Sequence, residues 1–217
     1  MSTKHPIWDI PTRLFHWLLV LTIVTAWATE ELDWMQWHSY AGYMALGLIL
    51  FRLGWGVFGS VHSRFRDFVR GPAAVRAYFR GETGEYKGHN PAGAWSVLIL
   101  LTLVLAQAVT GLFNANDESF AGPLNALVSS GVADALGELH EIIFNALMVF
   151  VVLHVLAVIW YVLIKGDNIL AAMITGQHPD KSGARAPVGL WRAILWGGIC
   201  MIAVWLIVTS VPTPQFF

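Results

Sequence analysis

Residues 138–164 read ELHEIIFNALMVFVVLHVLAVIWYVLI, an apolar run long enough to cross a bilayer. The run carries two histidines, His140 and His154, which are fourteen residues apart. At about 100° and 1.5 Å per residue, a helix returns over that interval to nearly the same face, roughly 21 Å further along. One helix therefore offers two imidazoles on one side, one near each membrane surface. Ionisable residues inside a span are costly, so the pair requires a functional explanation.

The composition of the whole chain agrees with a membrane location. Of its 217 residues, 56% are hydrophobic and 12% are charged, whereas about 25% are charged in a soluble domain. The eleven tryptophans fit aromatic belts at the membrane interfaces. Cys200 is the only cysteine, which excludes an internal disulfide, an iron–sulfur cluster held by several thiolates, and covalent C-x-x-C-H haem attachment. We interpret Cys200 as a small buried hydrophobe.

Five apolar runs predict five transmembrane helices in one all-α membrane domain over residues 1–217. The runs lie near 12–30, 37–58, 93–113, 138–164 and 190–210, with bounds uncertain by about 2–4 residues. The first run has the outline of a signal peptide, but we interpret it as an uncleaved helix. A short interfacial helix is predicted around residues 71–79, and Asn90 is predicted to cap the third span.

The distribution of basic residues predicts the orientation in a bacterial inner membrane. Lys and Arg are concentrated at the N-terminus and in two connections, 59–92 and 165–189, whereas 31–36 and 114–137 contain none. The basic residues are Lys4, Arg13, Arg64, Arg66, Arg70, Arg76, Arg80, Lys87, Lys165, Lys181 and Arg185. This asymmetry places the N-terminus in the cytoplasm and the C-terminus in the periplasm. Topology and contact with anionic lipid explain the basic loops, so we do not predict nucleic-acid binding.

Depth in the membrane sorts the histidines of the spans into two pairs. His16 lies near the cytoplasmic end of the first helix and is matched by His154, while His38 and His140 both lie near the periplasmic side. A zinc site ordinarily needs four ligands at one level, whereas two imidazoles suit the two axial positions of a haem iron. Taken singly, each histidine is also compatible with a polar residue at a helix end or interface. The remaining histidines, His5, His62, His89 and His178, lie outside the spans, and we expect polar residues there rather than ligands.

Two arginines are candidates for binding the haem propionates. Arg52 follows His38 by fourteen residues on the same helix face, at the depth of the His16/His154 pair, and Arg13 precedes His16 by about one turn. Either guanidinium is suited to charge-assisted hydrogen bonds with a carboxylate. The alternative is that both side chains merely extend to the cytoplasmic surface.

The chain resembles the prokaryotic cytochrome b561 family, the b-type cytochrome subunits of membrane-bound nickel–iron hydrogenases and formate dehydrogenases. The resemblance rests on WDIPTRLFHW at 8–17, on WHSYAGY at 37–43 and on the His140/His154 pair, and it covers about residues 6–178. It implies a four-helix transmembrane haem-binding bundle with two non-covalent haem b groups, each with two histidine ligands. It also implies electron exchange with a quinone pool. The fifth, C-terminal helix departs from this pattern and is a candidate for docking a partner.

We therefore expect an electron conduit between the quinone pool and a periplasmic redox partner such as a hydrogenase or dehydrogenase subunit. Quinone is expected near His16, His154 and Arg52, and the partner on an acidic outer surface, whose residues are Glu31, Asp33, Asp117 and Glu118. Bis-histidine ligation favours electron transfer over oxygen chemistry, and no catalytic residue is assigned. Two alternatives stay open: a superoxide:quinone oxidoreductase acting alone, and a haem-free transporter or assembly subunit. The haem-free alternative would use the histidines to carry protons, and it is disfavoured because no carboxylate lies deep in any predicted span to continue a proton path.

Overall fold

Eight α-helices make up most of the computed structural model, which describes residues 6–82, 86, 88–115, 120–178, 181, 183 and 186–211. They are α1 (Ile10–Glu31), α2 (Met35–Phe58), α3 (Phe65–Phe68), α4 (Pro72–Phe79), α5 (Pro91–Gly111), α6 (Ser130–Leu163), α7 (Ile169–Thr175) and α8 (Leu190–Thr209). Within these residues β-structure is limited to isolated bridge positions, among them the pair Ala115 and Ala121. Helices α1, α2, α5, α6 and α8 are long and apolar enough to cross a membrane. The predicted all-α membrane fold with five spans is confirmed.

The start of the fourth span was predicted wrongly. Helix α6 begins at Ser130 rather than near residue 138, and its first turn is anchored by Ser129, whose carbonyl accepts from the amides of Val132 and Ala133. This first part contains Asp134 and Glu138, so hydropathy alone does not include it in the span. With 34 residues, α6 is about 51 Å long, well beyond the ~30 Å of a hydrocarbon core.

Two smaller predictions about helix starts are confirmed. Helix α4 begins at Pro72, where the fixed φ of proline suits the first turn and the missing N–H costs nothing. The side chain of Asn90 accepts a hydrogen bond from the amide of Gly93 at 2.7 Å, so it caps α5.

The residues group into two compact units, and each long helix contributes to both. Unit 1 comprises the chain up to His16, 52–100 and 150–195. In unit 1 the N-terminal segment packs on α7: Ile7, Trp8 and Ala172 are buried together. The amide of Ile7 donates to the carbonyl of Gly176 at 2.8 Å, and Gly176 ends α7 with φ of +82°, a conformation that favours glycine.

Unit 2 comprises residues 17–51, 101–149 and 196–217. Its core contains Leu46 of α2, Ala108 of α5 and Val204 of α8, so the fifth span packs into this unit. The indole of Trp196 adds a hydrogen bond to the carbonyl of Phe51 at 3.1 Å. Cys200 is buried in α8, as predicted. The single domain over 1–217 stays a prediction.

The outward surfaces of α6 and α8 are apolar. Their exposed side chains, which a membrane span presents to lipid, include Ile142, Val149, Val152, Leu156, Leu163, Trp191, Ile194, Ile202 and Trp205. Three basic residues used to predict the orientation, Lys4, Lys87 and Arg185, lie outside the described residues.

Candidate cofactor sites

In unit 2 the structure brings His38 and His140 together. The centroids of their imidazole rings are 6.3 Å apart, and the ring planes make an angle of 70°. His38 lies in the first turn of α2 and its Nδ1 is 2.9 Å from the carbonyl oxygen of Ala26 in α1. A carbonyl oxygen only accepts, so Nδ1 carries the proton and Nε2 keeps its lone pair.

His140 is oriented by a threonine hydroxyl. Its Nδ1 is 3.0 Å from Oγ1 of Thr110 in α5. The Thr110 hydroxyl donates to the carbonyl of Ala106 at 2.9 Å, so its oxygen is available to accept from Nδ1. The Nε2 atom of His140 therefore also keeps a lone pair. Metal-binding histidines almost always donate their second ring N–H to an acceptor in this manner.

Gly111 lies directly against the ring of His140. A Cβ atom at position 111 would be 3.0 Å from Cε1 of His140, closer than side chains tolerate without displacement. The glycine therefore permits this position of the imidazole.

In unit 1 the structure brings His16 of α1 and His154 of α6 together. Their ring centroids are 6.4 Å apart, with an angle of 50° between the planes. Both side chains are half-buried. Within the described residues, no group of three or more His, Cys, Asp and Glu could hold a metal ion, so the two pairs stand apart from a multi-ligand metal centre.

The spacing of both pairs fits two imidazoles on opposite sides of one metal ion. An imidazole nitrogen binds a metal at about 2.0–2.1 Å, and it lies roughly 1.1 Å from the ring centroid given C–N bonds of about 1.33 Å. Two such ligands in line place their centroids about 6.3 Å apart. The observed separations are 6.3 and 6.4 Å. Both pairs therefore fit the axial positions of a haem iron.

Arg52 is buried in unit 1 with an unsatisfied donor. Its side chain is 3% exposed, its guanidinium lies 4.9 Å from the centroid of the Phe65 ring, and its Nη1 has no hydrogen-bond partner within the part of the chain that the structure describes. The alternative interpretation, in which Arg52 merely extends to the surface, does not fit this burial. A buried donor without an acceptor is costly, so the position of Arg52 fits a carboxylate from a bound group.

The buried carboxylate of Asp9 is satisfied by neutral donors. It accepts from the amide of Thr12 at 2.9 Å, from the indole of Trp55 at 3.0 Å and from the hydroxyl of Ser63 at 3.3 Å. Asp9 is the acid whose charge acts on Arg52, but its hydrogen bonds come from these three neutral donors and not from the Arg52 guanidinium.

Arg13 binds the end of α7. Its Nη1 donates to the carbonyl of Ile174 at 2.5 Å, while its Nε is buried without a partner. A cation is favourable at the C-terminus of a helix, where carbonyls are unsatisfied. This contact gives Arg13 a structural role that neither sequence interpretation included.

His89 is the residue that the sequence analysis missed. The centroid of its ring lies 4.6 Å from those of Trp8 and Phe68, and its Nδ1 is buried without a hydrogen-bond partner among the residues described. Burial, together with the nearby Arg52, His154 and His62, lowers the pKa of His89 to about 3, so the ring is neutral at physiological pH. No local pattern signals this position, because residues 8, 68 and 89 meet only in the fold.

A cavity of about 160 Å³ lies beside His89. Its walls are formed by His62, Asp67, Phe68, Arg70, Tyr86, Gly88 and His89. On the outer surface, Glu31 and Asp33 are exposed in unit 2, whereas Asp117 and Glu118 lie outside the described residues.

Comparison with known proteins gives one family match and two curated relatives. The model of the family described as prokaryotic cytochrome b561 matches residues 7–176. A probable Ni/Fe-hydrogenase B-type cytochrome subunit from Rhizobium leguminosarum bv. viciae is 21% identical over 212 residues, covering 81% of this chain and 89% of the relative. A subunit of the same description from Cupriavidus necator is 23% identical over 215 residues, covering 81% and 87%. No solved structure matches the chain.

Proposed function

The chain belongs to the prokaryotic cytochrome b561 family, and from this premise we propose that it conducts electrons through two b haems between the quinone pool and a periplasmic redox partner. Membership makes the chain a multi-pass membrane protein of electron transfer with haem b as its cofactor. The number of haems, the ligands, the quinone and the partner are the proposal. The observation that carries it is the pair of histidine couples, each spaced as the two axial ligands of one iron.

The ligand assignment follows the two units. His38 and His140 bind one haem iron, and His16 and His154 bind the other. Haem supplies one-electron redox chemistry when bound. The Ala26 carbonyl and the Thr110 hydroxyl hold His38 and His140 in the tautomer that presents Nε2 to the iron.

The remaining roles concern charge and access. Each histidine pair would hold one haem iron with two imidazoles, and the bound haems would then supply outer-sphere electron transfer rather than oxygen chemistry. Arg52 compensates a propionate of the haem in unit 1 through its unsatisfied Nη1. Arg13 contributes to the same site by fixing the start of α1 against the end of α7.

The proposed membrane orientation decides which histidine pair lies near the cytoplasm and which lies near the periplasm. The basic connections lie in the cytoplasm and the C-terminus lies in the periplasm of a bacterial inner membrane. Quinone exchanges electrons near His16, His154 and Arg52. The exposed carboxylates of Glu31 and Asp33 belong to the surface that a periplasmic partner contacts. Both relatives are described as Ni/Fe-hydrogenase B-type cytochrome subunits, which favours a hydrogenase as that partner.

The first experiment is an oxidised and dithionite-reduced absorption spectrum of the detergent-purified protein, with haem quantified as the pyridine complex. We expect two non-covalent b haems per chain and the sharp reduced bands of low-spin iron. A colourless protein would overturn the proposal in favour of a haem-free transporter. Rapid reduction of both haems by superoxide without any partner protein would instead favour a superoxide:quinone oxidoreductase.

A further inference from the structure

One aromatic cluster in unit 1 adjoins two buried nitrogens that have no hydrogen-bond partner among the described residues. They are Nη1 of Arg52 and Nδ1 of His89. The Arg52 guanidinium lies 4.9 Å from the centroid of the Phe65 ring. The Phe68 ring lies 5.8 Å from that of Phe65 and 4.6 Å from that of His89, so these two rings connect Arg52 to His89. Native proteins leave few buried polar groups unsatisfied, and two together call for a common explanation.

The hydrogen-bonding capacity of the two nitrogens identifies the kind of group that is missing. Nη1 of Arg52 only donates, and Nδ1 of His89 donates when it carries the ring proton, so the missing group is an acceptor. Asp9 places a negative charge near Arg52, but its oxygens accept from Thr12, Trp55 and Ser63 and leave both nitrogens without a partner among the described residues. A carboxylate has two acceptor oxygens and one negative charge, so a single carboxylate satisfies Arg52 and a His89 protonated at Nδ1 together.

The environment of His89 fixes the ring in place for such a contact. The ring centroids of Trp8 and Phe68 each lie 4.6 Å from that of His89, which restricts its rotation. His89 also lines the cavity to which His62, Asp67 and Tyr86 contribute, and its Nδ1 is buried.

We propose that His89 and Arg52 form a two-donor clamp for one haem propionate carboxylate of the haem held by His16 and His154. This inference rests on the proposed function, because it assumes that the haem is present. His89 is a positioning residue in this site: it binds the periphery of the haem and leaves the axial ligands to the two histidines. Removing its N–H leaves more uncompensated negative charge near the iron, which disfavours the reduced state.

The test compares wild-type holoprotein with two variants of His89 and one control. His89→Phe keeps the aromatic contact with Trp8 and Phe68 but has no donor, and His89→Gln keeps an N–H. His62→Leu removes another histidine from the wall of the same cavity and serves as the matched control. The readouts are a redox titration of both haems and the transfer of haem to apomyoglobin. Redox infrared difference spectra of protein containing haem ¹³C-labelled at the propionate carboxyls give a third.

We expect His89→Phe to lower the midpoint potential of one haem only and to accelerate loss of that haem about tenfold or more. The labelled carboxylate bands should shift in His89→Phe and stay near the wild-type position in His89→Gln and His62→Leu. Unchanged potentials and labelled bands in His89→Phe would overturn the clamp. A shift in unlabelled carboxylate bands alone would also overturn it, since the acid would then come from elsewhere.

Two further outcomes keep the test decisive. If His89→Phe does not accumulate, His89→Leu replaces it with the same expected shifts. Absence of haem, or of a second redox step, in the wild-type protein contradicts the proposed function itself, and it is seen before any variant is measured.

Discussion

The two histidine pairs have nearly the same spacing but different surroundings. In unit 2, His38 and His140 are held by neutral acceptors, the Ala26 carbonyl and the Thr110 hydroxyl. In unit 1, the pair His16 and His154 shares its unit with the buried guanidinium of Arg52. The two pairs therefore have nearly the same separation between their rings, whereas the neighbouring side chains give each pair a different electrostatic environment. We expect two haems of different midpoint potential, with the higher one in unit 1, because a nearby cation disfavours the oxidised, more positive iron.

The largest effect should come from removing a ligand. His140→Leu is expected to abolish the haem of unit 2, and His154→Leu that of unit 1, so that each variant retains about half of the haem. The pyridine complex measures the haem content, and His62→Leu is the control. Retention of both haems in either variant would refute the ligand assignment.

Replacing Arg52 should affect only the haem of unit 1. A hydrogen bond to a charged group contributes about 1.5–3 kcal/mol, and only the part that differs between oxidised and reduced haem changes the potential. Arg52→Leu should therefore lower one midpoint potential by at most about 60–130 mV. Arg52→Lys, which keeps the charge, should lower it less. A redox titration measures both steps, and an equal shift of both haems would contradict a local role for Arg52.

Thr110→Val should affect only the haem of unit 2. Valine has a similar shape but removes the acceptor for Nδ1 of His140, and the loss of such a partner typically weakens metal binding by about tenfold to a hundredfold. Transfer of haem to apomyoglobin measures the change. Thr22→Val, at another buried threonine of unit 2, is the matched control. Equal rates of haem loss in both variants would contradict the orienting role.

The smallest effect should come from an ion cluster in unit 1. Burial raises the pKa of Asp167, but hydrogen bonds from Lys181 at 2.7 Å and His178 at 2.6 Å outweigh it, and the net pKa is below the usual 3.8. The ionised Asp167 therefore stabilises unit 1 above pH 3.8, and this contribution is lost as pH falls through the lower folded-state pKa.

Asp167→Asn should accordingly lower the free energy of unfolding at pH 7 by about 1 kcal/mol or less. The difference in this free energy between variant and wild type should shrink towards pH 3. Haem release on heating, followed separately for the two haems, is the measurement. If the loss of stability in Asp167→Asn grew as the pH fell, the predicted direction of the pH dependence would be wrong.

Hydropathy and helix signals made most of the fold predictable. Pro72 and Asn90 mark helix starts through local geometry, which is readable in the sequence. The first turns of α6 were missed because Asp134 and Glu138 interrupt the apolar run although the backbone remains helical.

The surroundings of the sites were less predictable than the histidines. Depth in the membrane places His16 with His154, but nothing local connects Trp8, Phe68 and His89, which come from three segments. The same holds for Thr110, whose hydroxyl reaches a histidine thirty residues away. Such contacts depend on the packing of separate helices, which periodicity does not encode.

The junction between the N-terminal segment and α7 implies an order of assembly during synthesis. The residues around the unit 2 pair, from Ala26 to His140, have all been translated once residue 140 is made. By contrast, Ile7 bonds to Gly176, so the segment leading into His16 finds its final partner only 36 residues later. A ribosome-bound chain that ends shortly before residue 176 therefore contains both histidine pairs, but the segment that leads into His16 still lacks its partner in α7.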